Sequence, residues 1–180
     1  MDTHLSPREL AYCGLFGAAA LLLPIVFHLV HLGHVFMPMY LPLVTLPFFV
    51  RPWPAVLTAL LAPLLSAVVT GMPPLYPPVA VFMAIELAVM AALIASAARC
   101  WPGTNEWLIL VPVLVFGRIL YVGLVYCFSL VIDLPARFMA GLSLLAGWPG
   151  IVLMIVAVPP VVRVCRQGTR LAPAARGDPT

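Results

Sequence analysis

Residues 79–98 read VAVFMAIELAVMAALIASAA, and Glu86 is the only ionisable side chain among them. About 20 apolar residues, rising 1.5 Å each as a helix, match a hydrocarbon core of about 30 Å. Ala, Leu and Met are strong helix formers, so the run reads as one transmembrane helix. The flanking sequence has the same character. Of 180 residues, 64% are hydrophobic and 8% are charged, against about 25% charged in a soluble domain. That composition cannot cover a water-facing globule. Long apolar runs rather than short alternating ones exclude a closed barrel, so the chain is an all-α integral membrane protein.

Five further apolar segments surround this helix. They run over about Leu10–Leu32, Val35–Val50, Ala55–Thr70, Trp107–Ile132 and Phe138–Val162. Ser6-Pro7-Arg8-Glu9 introduces the first, with Ser6 as N-cap, Pro7 at the first helical position and Glu9 completing a capping box. Its length, with Asp2 and Glu9 ahead of it, argues against a cleavable leader. Pro38, Pro42 and Pro47 interrupt the second segment, which predicts irregular backbone shielded by protein. Arg51-Pro52-Trp53-Pro54 reads as an interfacial turn, and Trp148-Pro149-Gly150 as a break in the last helix. Residues 1–165 form the membrane domain, and 166–180 a flexible basic tail.

The arginines orient this bundle. Six transmembrane helices with N- and C-termini cytoplasmic put Arg8, Arg51, Arg99, Arg163, Arg166, Arg170 and Arg176 inside. Arg137 alone falls outside and Arg118 lies within the bilayer, the asymmetry the positive-inside rule demands. A multi-pass protein of the bacterial plasma membrane is expected.

Composition also restricts the chemistry. All nine basic residues are Arg, so no phosphate-binding loop ending in Gly-Lys and no Schiff-base lysine exists. Cys13, Cys100, Cys127 and Cys165 form no Cys-x-x-Cys pair. Gly-x-Ser-x-Gly, His-Glu-x-x-His and paired intramembrane carboxylates are absent, so no enzymatic activity and no cofactor is expected. Nothing suggests nucleic acid as a partner.

Two charges lie deep. Glu86 sits about 10 Å below the start of its helix, and Arg118 reaches similar depth on the next, antiparallel one. A charge at the bilayer centre costs about 2.5–3.5 kcal/mol on insertion scales. The two residues therefore serve either as a structural ion pair or as contacts to a polar ligand. His28, His31 and His34 share one face at the outer end of the first helix. Ligand contact, interfacial packing and metal or haem binding are all open to them, although a carboxylate-free i, i+3, i+6 pattern is weak for metal. The Thr70-Gly71-Met72-Pro73-Pro74 loop and Tyr76 open on that same side. Gly14 and Ala18 form a small-residue face that lets another helix approach closely.

His31-x-x-His34, Met37-Pro38-Met39, Leu41-Pro42, Pro63-Leu-Leu-Ser66, Thr70-Gly71-Met72-Pro73-Pro74, Met83-Ala-Ile-Glu86-Leu87, Gly117-Arg118 and Gly147-Trp148-Pro149-Gly150 together resemble the substrate-binding S components of energy-coupling factor (ECF) transporters. The resemblance covers about residues 10–165. It implies a six-helix subunit that captures a vitamin or related micronutrient at the outer face. Such a subunit delivers its cargo with a transmembrane coupling protein and two ATPase subunits. The resemblance carries substrate binding onto His31, His34, Met39, Thr70, Gly71, Met72, Pro73, Glu86, Arg118 and Trp148. It carries contact with the coupling protein onto Gly14 and Ala18. Two other readings are a structural six-helix subunit of cell-envelope assembly and a His-rich metal- or haem-binding membrane protein.

Overall fold

The computed structural model describes residues 5–29, 38–76, 78–131 and 136–171, and every regular element among them is helical. Helix α1 spans Pro7–Leu29. Its expected capping box is formed: Glu9 N–H donates to Ser6 Oγ (3.2 Å) and Ser6 N–H to Glu9 Oε2 (3.2 Å). These bonds meet two of the donors that a helix start leaves without partners.

Helix α2 is a six-residue piece, Tyr40–Thr45, followed by a 3₁₀ turn over Leu46–Phe48. Prolines at 42 and 47 keep it short, as the sequence predicts. Nearly all of Pro38–Val50 is buried, with Leu43, Val44 and Leu46 at the centre of the core. Irregular backbone at this depth is tolerated because protein surrounds it.

Helix α3 spans Pro52–Thr70. Arg51 through Pro54 are therefore not a separate turn. Arg51 is the extended N-cap, and both prolines fit the first turn, where backbone N–H groups need no helical acceptor. Trp53 stays 67% exposed. At the other end Gly71, with φ of 73°, closes α3 by donating its N–H to Ala67 O at 3.0 Å. That left-handed conformation suits glycine.

Helices α4 (Val79–Cys100), α5 (Glu106–Val131) and α6 (Ala136–Leu171) follow. Two expectations change in α6. The helix runs unbroken through Trp148-Pro149-Gly150, so the proline costs one backbone bond without ending the helix. It also reaches Leu171, past Arg166, where the tail was expected to begin. Arg163 and Arg166 hold this extension by pairing with Glu106 at the start of α5 (3.4 and 3.0 Å), and Arg163 also donates to Asn105 Oδ1. Residues 172–180 lie outside the described part.

Five helical stretches are long and apolar enough to cross a membrane: Pro7–Phe27, Pro52–Thr70, Val79–Cys100, Glu106–Leu130 and Pro149–Gln167. Sequential neighbours α3/α4, α4/α5 and α5/α6 pack together, and α2 packs among α1, α4 and α6. Phe49, just beyond α2, stacks on Tyr12 and Phe16 of α1, with ring centroids 5.3 and 5.9 Å apart. Glu9 and Arg51 form an ion pair at 2.9 Å that sets the N-terminal ends of α1 and α3 side by side.

Candidate functional site

Four elements meet around Glu86. It projects from α4, and its Oε2 accepts a hydrogen bond from the Tyr40 hydroxyl, on α2. Arg118 projects from α5, and its guanidinium lies 5.5 Å from the centroid of the Tyr121 ring, within cation–π range. Both charged residues are almost withdrawn from the surface, Glu86 at 2% exposure and Arg118 at 8%. Met90 of α4, Leu114 of α5, and Ile151 and Met154 of α6 complete the walls.

The helices approach closely here because α5 carries Gly117. A Cβ at that position would overlap Met90 Sδ and stand 2.8 Å from Met90 Cγ and 3.4 Å from Glu86 Oε1. Without a side chain at 117, α4 can lay Glu86 and Met90 against the α5 backbone. The next residue, Arg118, then enters the same space from the other helix.

What remains between the side chains is a cavity of about 10 Å³, about the volume that holds one water. The sequence reading placed Glu86 and Arg118 at one depth, and they do line one cavity. They do not make a direct ion pair, however. The ion pairs among the described residues are Glu9–Arg51 and Glu106 with Arg163 and Arg166. Glu86 takes its hydrogen bond from Tyr40, while Arg118 Nε and Nη2 are buried without a hydrogen-bond partner among the described residues. A buried donor without a partner costs about 1–3 kcal/mol, and more when charged. Such a group calls for an acceptor.

The other expected site residues lie apart from this cavity. Thr70, Gly71, Met72 and Pro73 form the cap of α3. The Ser66 hydroxyl donates to Met72 O (2.7 Å), the Thr70 hydroxyl to Ser66 O (2.8 Å) and Met72 N–H to Thr70 Oγ1 (3.3 Å). Thr70, Gly71 and Met72 are exposed and line no part of the cavity. Met39 is buried immediately before Tyr40 but does not line it either. Gly14 and Ala18 lie on the exposed side of α1, and nothing stands within 4 Å of a Cβ placed on Gly14. His31 and His34 fall outside the described residues, as do the side chains of His28 and Trp148. Among the described residues no three His, Cys, Asp or Glu side chains gather to hold a metal ion.

Five of the wall residues (Tyr40, Met90, Leu114, Ile151 and Met154), and Tyr121 beside Arg118, were not singled out by the sequence. Tyr40 is one aromatic within an apolar, proline-broken segment, and nothing local links it to a glutamate on another helix. Tyr121 carried a usable signal, because it lies at i+3 from Arg118 and so shares its helix face. Met90 is at i+4 from Glu86, but a methionine at that spacing looks like any core residue.

No family model, curated protein or solved structure matches this chain.

Proposed function

We propose that the chain is the substrate-capture subunit of an ECF importer. It takes a vitamin or related micronutrient from the outer face and delivers it with a transmembrane coupling protein and two ATPase subunits. The observation that carries this reading is the buried guanidinium of Arg118, whose Nε–H and Nη2–H have no partner among the described residues and stand beside a cavity shared with Glu86. Ionisable residues within a membrane bundle mark ligand and ion pathways by default. A few polar groups converging in an apolar wall are also what a small-molecule site needs.

Six crossings with both termini cytoplasmic accompany this reading. The Glu9–Arg51 pair supports it: if α1 and α3 begin on one side, residues 30–50 must return the chain across the membrane between them. Glu106, Arg163 and Arg166 then cluster on that same side, in line with the positive-inside rule. The exposed Gly14 and Ala18 face of α1 is open to a coupling protein. The bacterial plasma membrane is the proposed location.

The small cavity favours a second reading. Space for one water suits a structural membrane subunit in which Tyr40, Glu86 and Arg118 only fix helix register. Mass spectrometry of small molecules released from the purified, denatured protein separates the two. A nutrient present in stoichiometric amount, and lost from Arg118→Gln, supports capture. A protein that releases nothing and gains no thermal stability from any vitamin supports the structural role.

A further inference from the structure

Arg118 Nε and Nη2 are the two nitrogens on one edge of the guanidinium, and their N–H bonds run nearly parallel. That edge is the fork which grips a carboxylate through two hydrogen bonds at once. Both atoms of the fork are buried and have no partner among the described residues, on a side chain more than nine-tenths withdrawn from the surface, and the residue lines the cavity. Glu86 does not fill the fork: its Oε2 accepts from the Tyr40 hydroxyl, on α2, and neither Arg118 nitrogen is hydrogen-bonded to it. Among the described residues, the negative charge has a partner and the positive edge has none.

We propose that the Nε–Nη2 edge of Arg118 is the receptor for the carboxylate of a small, largely apolar acid. This rests on the capture reading and names its ligand class. A cationic ligand would seek Glu86 and would leave the guanidinium edge still empty. A neutral ligand oxygen meets one N–H well but does not match the two-pronged edge. The remaining walls, Met90, Leu114, Ile151 and Met154, offer no charge, so the rest of the ligand is apolar or weakly polar. The resting cavity holds about one water, so the ligand must displace side chains. Met90 and Met154 are the candidates, being unbranched and adaptable.

The test uses the full chain purified in detergent. Thermal unfolding and tryptophan fluorescence are recorded with biotin, pantothenate and nicotinate, and with their uncharged counterparts biotinamide, pantothenol and nicotinamide. Thiamine and riboflavin serve as ligands without a carboxylate, and small molecules released from the denatured chain are identified by mass. The expected result is that a carboxylate ligand, added or co-purified, binds at least about tenfold tighter than its uncharged counterpart, the scale of a charge-assisted bidentate contact. Arg118→Lys, which keeps the charge and loses the fork, should shrink that ratio to about threefold or less. If thiamine, riboflavin or an uncharged counterpart binds as well as any acid, the carboxylate assignment fails while capture stands. If no probe binds and nothing co-purifies, the assignment and the capture reading fail together. The comparison of each acid with its uncharged counterpart is made on the wild-type chain, so the outcome does not depend on a variant folding.

Discussion

Tyr40 and Glu86, 46 residues apart in the chain, share a buried hydrogen bond that ties the short helix α2 to the middle of α4. Since α2 makes only six residues of helix and owes little to its own backbone, such ties hold it in register. Tyr40→Phe removes the donor and leaves a buried carboxylate oxygen unmatched, at an expected cost of about 1–3 kcal/mol. Glu86→Gln keeps an oxygen that can accept from Tyr40 and should cost less. Unfolding of the purified variants in detergent measures both. Equal stability of Tyr40→Phe and wild type would mean that the bond does not hold α2.

Close approach of α4 and α5 at Gly117 yields a second expectation. Gly117→Ala drives a methyl group into Met90, and overpacking of this kind costs about 1–3 kcal/mol. Shortening the obstacle should relieve it. Gly117→Ala combined with Met90→Ala should lose less stability than the two single changes added together. A double-mutant cycle gives the coupling directly. Strict additivity would contradict the overlap.

Gly71 and Gly14 should respond in opposite directions to the same replacement. Neither has a neighbour within 4 Å of an added Cβ, so packing does not separate them. Backbone conformation does. Gly71→Ala forces a left-handed conformation at the end of α3, at about 1 kcal/mol. Gly14→Ala lies inside α1 and should gain up to about 1 kcal/mol of helix propensity. A bulky Gly14→Leu should leave the isolated chain folded but reduce its co-purification with a coupling protein, if that face is the docking surface. Thermal unfolding covers the first two changes and affinity capture with the proposed coupling protein the third.

Much of this was legible in the sequence, for physical reasons that differ by element. The run from Val79 to Ala98 reads as a helix because the bilayer fixes both its length and its composition. The irregular path through Pro38–Val50 follows from three missing backbone donors. Glu86 and Arg118 stand out because charge within hydrocarbon is costly. By contrast, Tyr40 as the partner of Glu86 depends on how α2 and α4 align in space, and periodicity along one segment carries no such information. The reach of α6 to Leu171 likewise depends on Glu106, 57 residues before Arg163. Pro149 looked like a break because a proline's local effect is readable, whereas the continuation of α6 on both sides of it is not.

The Glu9–Arg51 pair carries the last prediction, which concerns topology. If α1 and α3 begin on the same side of the membrane, sites just outside their N-terminal ends must share one aqueous compartment. Leu5 is 42% exposed before α1, and Trp53 is 67% exposed in the first turn of α3. Met72, at the far end of α3, is 51% exposed. Single cysteines at these three positions, in a chain whose own four cysteines are replaced by serine or alanine, can be labelled with a membrane-impermeant maleimide. Leu5→Cys and Trp53→Cys should stay unlabelled in intact cells and react once the membrane is opened. Met72→Cys should react in intact cells. If residues 30–50 dipped into the bilayer and returned to the side they entered from, Leu5→Cys and Trp53→Cys would lie in different compartments. The Glu9–Arg51 contact would then be impossible in the membrane, because one helix start cannot reach another across about 30 Å of hydrocarbon.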